Sequence, residues 1–147
     1  MGENSELTND FGQGRRILLI EDNEINAQIT KLQLEEQSYE VIVTNDGQEG
    51  LDAYLQSQEH YFSAVVTDIM MPVMDGTEAT MAIRRSERSD SNLPILAITA
   101  NAFPQDLLEY ESCGINKCLT KPYKKNEVFD FLYQFITEYE KSDVKDF

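Results

Sequence analysis

Five side chains of this sequence could carry out a group transfer, and each stands at the end of a short apolar run. Glu21 and Asp22 follow Ile17-Leu18-Leu19-Ile20, and Asp68 follows Ala64-Val65-Val66-Thr67. Thr99 follows Pro94-Ile95-Leu96-Ala97-Ile98, and Lys121 comes just after Asn116 to Leu119. The first loop, Glu21-Asp22-Asn23-Glu24, would repel a phosphate; a nucleotide fold needs Gly, Ser or Thr there. Its acids suit a hard cation held by oxygens, Mg²⁺ above all, with Mn²⁺ as the substitute. Lys121 and that metal would keep Asp68 ionised, as a nucleophile must be. Carboxylates accept phosphoryl groups in aspartyl-phosphate chemistry, and a cation offsets the charge that builds on the transferred oxygens. Thr99 and Lys121 could then hold those oxygens. Taken singly, each residue has a commoner role: Asp and Thr cap helices, and Lys before Pro is often just exposed. The reading rests on their joint occurrence at four strand ends.

The elements that must position them alternate. Ile17–Ile20, Val41–Val43, Ala64–Val66, Pro94–Ile98 and Asn116–Leu119 read as strands, the first a continuous apolar run as in a strand buried on both faces. Helical spacing follows each: Ile25, Ile29 and Leu32; Leu51, Tyr54 and Leu55; Ala79, Ala82 and Ile83; a segment opened by Pro104 and closed by Gly114; and Val128, Leu132, Phe135 and Tyr139. Asp46 with Glu49, and Asp75 with Glu78, have the spacing of capped helix starts. Five βα units imply a doubly wound α/β fold with a parallel sheet and helices on both faces. All five strand ends then point the same way, at the edge where ligands collect in open α/β sheets.

Composition narrows the classes. The 147 residues suffice for one domain, and apolar residues at 41% lie in the globular range. We expect residues 1–14 to be a flexible arm, 15–140 the folded domain and 141–147 a tail. The formal net charge of −15 disfavours direct nucleic-acid binding. No run approaches a membrane span, and Met1 to Gly14 has no signal-peptide core, so a soluble cytoplasmic protein is expected. Met1-Gly2 opens like a myristoylation site, but position 6 is Glu. Cys113 and Cys118 lack zinc spacing and are expected reduced. His60 is expected at the surface, Arg84, Arg85 and Arg88 on a solvated helix face, and Met70, Met71 and Met74 in turn and core packing.

The segments Ile17-Leu18-Leu19-Ile20-Glu21-Asp22-Asn23, Val66-Thr67-Asp68-Ile69-Met70-Met71-Pro72-Val73-Met74-Asp75-Gly76, Ile98-Thr99-Ala100 and Leu119-Thr120-Lys121-Pro122 together resemble a response-regulator receiver domain. The resemblance runs from about Arg16 to Tyr139. It implies a flavodoxin-like (βα)5 fold of strand order 2-1-3-4-5. It implies Asp68 as acceptor from a phosphohistidine on a histidine kinase or histidine phosphotransfer protein. Asp22, Asp68 and the backbone carbonyl of Met70 would bind Mg²⁺ directly, with Glu21 acting through water or hydrogen bonds. Thr99 and Lys121 would bind the phosphoryl group. The Lys121-Pro122 bond is similar to one that is cis in the family. The partner face would be the fourth and fifth helices or the first.

Met-Pro-x-Met-Asp-Gly-x-Glu-Ala-Thr and Ala-Ile-Thr-Ala-Asn-Ala are most similar to receivers of hybrid sensor kinases. The chain would then be a fragment of one or a stand-alone relay protein; Glu140 to Phe147 is too short for an output domain. One position departs from the family: Cys118 stands where many members carry a Tyr or Phe coupled to the Thr. Two other functions remain open. A small metal-dependent phosphohydrolase would want a second acid where Met70 stands, and a non-phosphorylated binding module would not need the full acceptor set.

Overall fold

The computed structural model describes residues 10–100 and 102–145, with side chains described through position 142. Five strands, β1 (Arg16–Ile20), β2 (Glu40–Thr44), β3 (Ala64–Asp68), β4 (Ile95–Thr99) and β5 (Lys117–Thr120), form one sheet of order β2-β1-β3-β4-β5. Every pair is parallel. Five helices alternate with them: α1 (Glu24–Glu35), α2 (Gly47–Gln56), α3 (Gly76–Arg85), α4 (Pro104–Ser112) and α5 (Lys125–Lys145). This is the flavodoxin-like arrangement expected from the alternation and the resemblance. The strands β4 and β5 each begin one residue later than their apolar runs do.

Period-two alternation divides the core. Ile17, Leu19, Val66, Leu96 and Ile98 face one layer, where Leu34 of α1 and Val128, Leu132 and Ile136 of α5 cover them. Leu18, Ile20, Val65, Ile95 and Ala97 face the other, against Leu51 and Tyr54 of α2, Ile83 of α3 and Tyr110 of α4. The fully buried Leu132 contributes on the order of 2 kcal/mol of transfer free energy.

Local chemistry ends strands and starts helices where the sequence indicates. Asn23, Asp46 and Asp75 cap α1, α2 and α3 by accepting from Asn26, Glu49 and Glu78 amides, and Asp75 with Glu78 forms a complete capping box. Pro104 opens α4, and Gly114, at φ 111°, follows its C-terminus in the left-handed region. Gly76 is required by close approach: a Cβ there would collide with the carbonyl oxygen of Asp68.

Two expectations change, and the packing decides which face of α1 turns inward. The stripe Ile25, Ile29 and Leu32 lies on the outside of α1, 72%, 48% and 55% exposed, while Ala27, Thr30 and Leu34 face the core. Two stripes share this helix, and small Ala and Thr let it sit close to the sheet. Arg84 and Arg88 are not solvated. Arg84 donates to the carbonyls of Ser91, Leu93 and Gly114 and to Asn116 Oδ1. Arg88 pairs with buried Asp90 at 3.0 Å and covers the Tyr54 ring. Both cations serve oxygens left over at the ends of helices and loops; only Arg85 is exposed. Met71 and Met74 pack on the core, and Met70 lies in the turn with its side chain 65% exposed, within the expected turn and core packing. Finally, the expected arm falls partly outside the described residues, but its last part is packed. Gly12 donates to Gln37 O at 2.8 Å, and Phe11 meets Tyr39 edge to face and Tyr133 at a tilt, with the Arg15 guanidinium over its ring. At the other end α5 continues past position 140 to Lys145. His60 is exposed, as expected.

Candidate functional site

The parallel strands bring the separated residues to one edge. Glu21 follows β1, Asp68 ends β3, Thr99 ends β4 and Lys121 follows β5. Lys121 Nζ lies 3.4 Å from Asp68 Oδ2 and 3.7 Å from Glu21 Oε1, so one ammonium serves two carboxylates. Carboxylate oxygens of Glu21, Asp22 and Asp68 lie within 4.8 Å of one another. Thr99 is fully buried one position beyond Ile98, the register partner of Asp68, and its carbonyl accepts from the Lys121 amide at 2.8 Å. The Lys121-Pro122 bond is cis.

The capping roles that each acid could have played are taken by other residues. Asn23, not Glu21 or Asp22, caps α1, and Asp75, not Asp68, caps α3. Phe103 stands at the cap position of α4, so Thr99 does not cap it. Asp68 Oδ1 accepts from the Ile69 amide at 2.7 Å, which fixes the carboxylate while Oδ2 faces Lys121. Glu21 Oε2 accepts from the Asn23 amide at 3.1 Å.

The electrostatics favour a cation. Burial pushes the Glu21 carboxyl up to about 7; the Asn23 amide draws it back, the Asp68 charge adds to the rise and Lys121 opposes it. Three carboxylates face one ammonium here. A divalent ion on oxygen ligands would balance the remainder, and carboxylates this close are the donor set such an ion takes. The residues fit the metal.

A cavity of about 280 Å³ opens beside the acids, lined by Glu21, Asp68 and Lys121 together with Ile29, Thr30 and Tyr123. Tyr123 was missed in the sequence. Its hydroxyl meets Thr30 Oγ1 at 3.2 Å and closes one wall, and only its place just after Lys121-Pro122 could have signalled it. Met70 lies two residues past Asp68, in the loop that leads to Gly76. Cys118 pairs in register with Ala97, and burial pushes its thiol up to about 11.

Residues 17–133 match the sequence model of the response regulator receiver domain. The chain is 35% identical over 125 residues to the peroxide stress-activated histidine kinase mak3 of Schizosaccharomyces pombe, covering 84% of this chain and 5% of that protein. It is 36% identical over 129 residues to the autoinducer 2 sensor kinase/phosphatase LuxQ of Vibrio vulnificus, covering 88% of this chain and 14% of that one. The chain thus spans only a small part of these curated relatives. Among solved structures, the receiver domain of sensor histidine kinase PA1611 from Pseudomonas aeruginosa, with a magnesium ion coordinated in its active-site cleft, superposes with TM-score 0.75 at 32% identity. That match covers 84% of this chain and 98% of the other. The chemotaxis protein CheY4 of Vibrio cholerae superposes with TM-score 0.74 at 27% identity, over 82% and 98%. The chain belongs to the response regulator receiver domain family, the receiver class of two-component phosphorelay signalling.

Proposed function

We propose that Asp68 accepts a phosphoryl group from a phosphohistidine on a histidine kinase or histidine phosphotransfer protein. The observation that carries this is Lys121 shared between Asp68 and Glu21 beside a carboxylate cluster that caps no helix. An Asp68 carboxylate oxygen attacks phosphorus. The P–O bond forms as the P–N bond breaks, and the electron pair stays on the imidazole nitrogen, which takes up a proton. Asp22, Asp68 and the Met70 backbone carbonyl would hold Mg²⁺, or Mn²⁺ in its place, with Glu21 acting through water or hydrogen bonds. Bound there, the ion supplies positive charge to the phosphoryl oxygens. Lys121 and Thr99 bind the phosphoryl oxygens once the group is on Asp68.

The donor would dock on the outer face of α1. Ile25, Ile29 and Leu32 form an exposed apolar stripe there, and Ile29 also lines the cavity that opens on Asp68. Apolar contact beside the acceptor gives a phosphohistidine carrier a surface without asking it to approach the acidic loop first. No helix among the described residues is long and apolar enough to cross a membrane, and the charge of −15 opposes nucleic acid. On this reading the module works in the cytoplasm, as part of a hybrid kinase or as a separate relay protein, and the folded unit includes the packed turn before Arg15. The exposed Met70, in place of an acid, removes the residue a phosphohydrolase would use on a leaving group.

Incubation with Mg²⁺ and acetyl phosphate tests the proposal. Intact mass should rise by one phosphoryl group, and Asp68→Asn should abolish the rise. Sustained turnover of varied phosphate esters would instead make the protein a hydrolase.

A further inference from the structure

The transfer step leaves one wall of the acceptor cavity without a task. Asp68, Glu21 and Lys121 line one part of this space, and Ile29, Thr30 and Tyr123 line another. The Tyr123 ring packs on the core cluster that contains Leu132 and Ile136, so the ring is held while its hydroxyl reaches α1. There it meets Thr30 Oγ1 at 3.2 Å and Gln33 Oε1 at 3.4 Å. Thr30 and Gln33 stand three positions apart on α1, so both approach the hydroxyl from one side of the helix.

The two contacts differ in quality. The hydroxyl of Tyr123 donates to Gln33 across 3.4 Å, long for two oxygens, which usually stand about 2.7–2.8 Å apart. One rotation of the O–H gives up this weak bond for a nearer acceptor in the cavity. Thr30, which is buried, can donate to the phenol oxygen at the same time, and that polarises the O–H into a better donor.

The leaving group of the transfer is the ring of the donor histidine. In an in-line displacement it stands across phosphorus from the Asp68 oxygen. Ile29 lines the cavity and also belongs to the exposed stripe of α1, so a histidine carried to α1 enters along this wall. As the P–N bond breaks, negative charge moves onto the ring, and the ring's second nitrogen shares it. A hydrogen bond to that nitrogen is therefore stronger in the transition state than before it, which is the condition for raising a rate.

We propose that the Tyr123 hydroxyl, backed by Thr30, donates to the free ring nitrogen of the phosphohistidine and so selects donors whose leaving group is an aromatic nitrogen ring. The P–O bond to Asp68 forms as the P–N bond breaks. The electron pair stays on the nitrogen that held phosphorus, which takes up a proton from solvent, and Tyr123 keeps its own proton. The proposal rests on Asp68 being the acceptor.

The test uses the full chain, Mg²⁺ and two small donors that both carry a P–N bond. Phosphoimidazole has the ring; phosphoramidate releases ammonia, which has no second nitrogen. Rates of phosphoryl gain are read by intact mass. The ratio of the phosphoimidazole rate to the phosphoramidate rate should fall about tenfold in Tyr123→Phe, the worth of one hydrogen bond to a group that gains charge. A ratio unchanged in the variant, whether both rates hold or both drop together, makes Tyr123 a packing residue and overturns the proposal while the acceptor reading stands. No phosphoryl mass from either donor in the wild type overturns the acceptor reading, and the proposal with it.

Discussion

Replacing Glu21 by Gln should stabilise the metal-free protein at about pH 8 and leave it unchanged at about pH 4. Glu21 is only 6% exposed. Burial, with the Asp68 charge behind it, raises its carboxyl from an ordinary 4.5 to about 7, against the pull of the Asn23 amide and Lys121. The folded protein thus holds this proton more tightly than the unfolded chain does. Stability from it is complete below about pH 4.5 and is lost as pH rises through about 7. A rise of this size corresponds to roughly 3 kcal/mol at 1.36 kcal/mol per pH unit. Gln keeps the shape and does not titrate, so the variant escapes that loss. With a urea dependence of about 1.5–2 kcal/mol per molar, the two unfolding midpoints should separate by roughly 1.5–2 M at the upper pH. The assay is urea unfolding in EDTA, followed by circular dichroism across that pH range. Adding Mg²⁺ should then raise the wild type more than the variant, because a cation bound to the folded state stabilises it by mass action. Parallel curves for the two proteins, or a variant less stable at pH 8, would refute the electrostatic account of the site.

Three further outcomes are expected. Asp90 is fully buried and accepts from Arg88, the Tyr54 hydroxyl and the His60 amide; these donors hold its carboxyl below the usual range despite burial. Asp90→Ala should cost about 3–5 kcal/mol in urea unfolding, since it strands a partly buried guanidinium, and wild-type stability from this group should fade as acid titrates it. Ile29→Asp on the outer face of α1 should leave labelling by acetyl phosphate unchanged while slowing transfer from a phosphorylated histidine phosphotransfer domain, measured by mass; equal transfer rates would remove α1 from the docking surface. Cys118, with its thiol pushed up to about 11 by burial, should alkylate with iodoacetamide at neutral pH far more slowly than a free cysteine, and a free-thiol rate would show that α4 does not shield it.

The sequence disclosed the strand ends and their consequences because these depend on local signals. A buried parallel strand is a continuous apolar run, and its first polar residue marks the sheet edge. Glu21, Asp68, Thr99 and Lys121 were therefore legible one by one. Their convergence followed once all strands were taken as parallel. The inward face of α1 was not legible, since Ile25, Ile29 and Leu32 have helical spacing as good as that of Ala27, Thr30 and Leu34. Periodicity identifies a helix, and only packing decides which stripe is inside. Arg84 and Arg88 were misread for a related reason: their carbonyl partners, Gly114 and Ser57 among them, lie about thirty residues away, where no local pattern displays them.

The central claim is that the phosphoryl group goes to the Asp68 carboxylate. Borohydride reduces an acyl phosphate to the alcohol, so treating the acetyl phosphate-labelled protein with it and sequencing the peptides by mass spectrometry reads the acceptor directly. The account predicts homoserine at position 68, formed only when Mg²⁺ is present. Reduction at another carboxylate, or an unchanged Asp68 in protein that carries the phosphoryl mass, would contradict it.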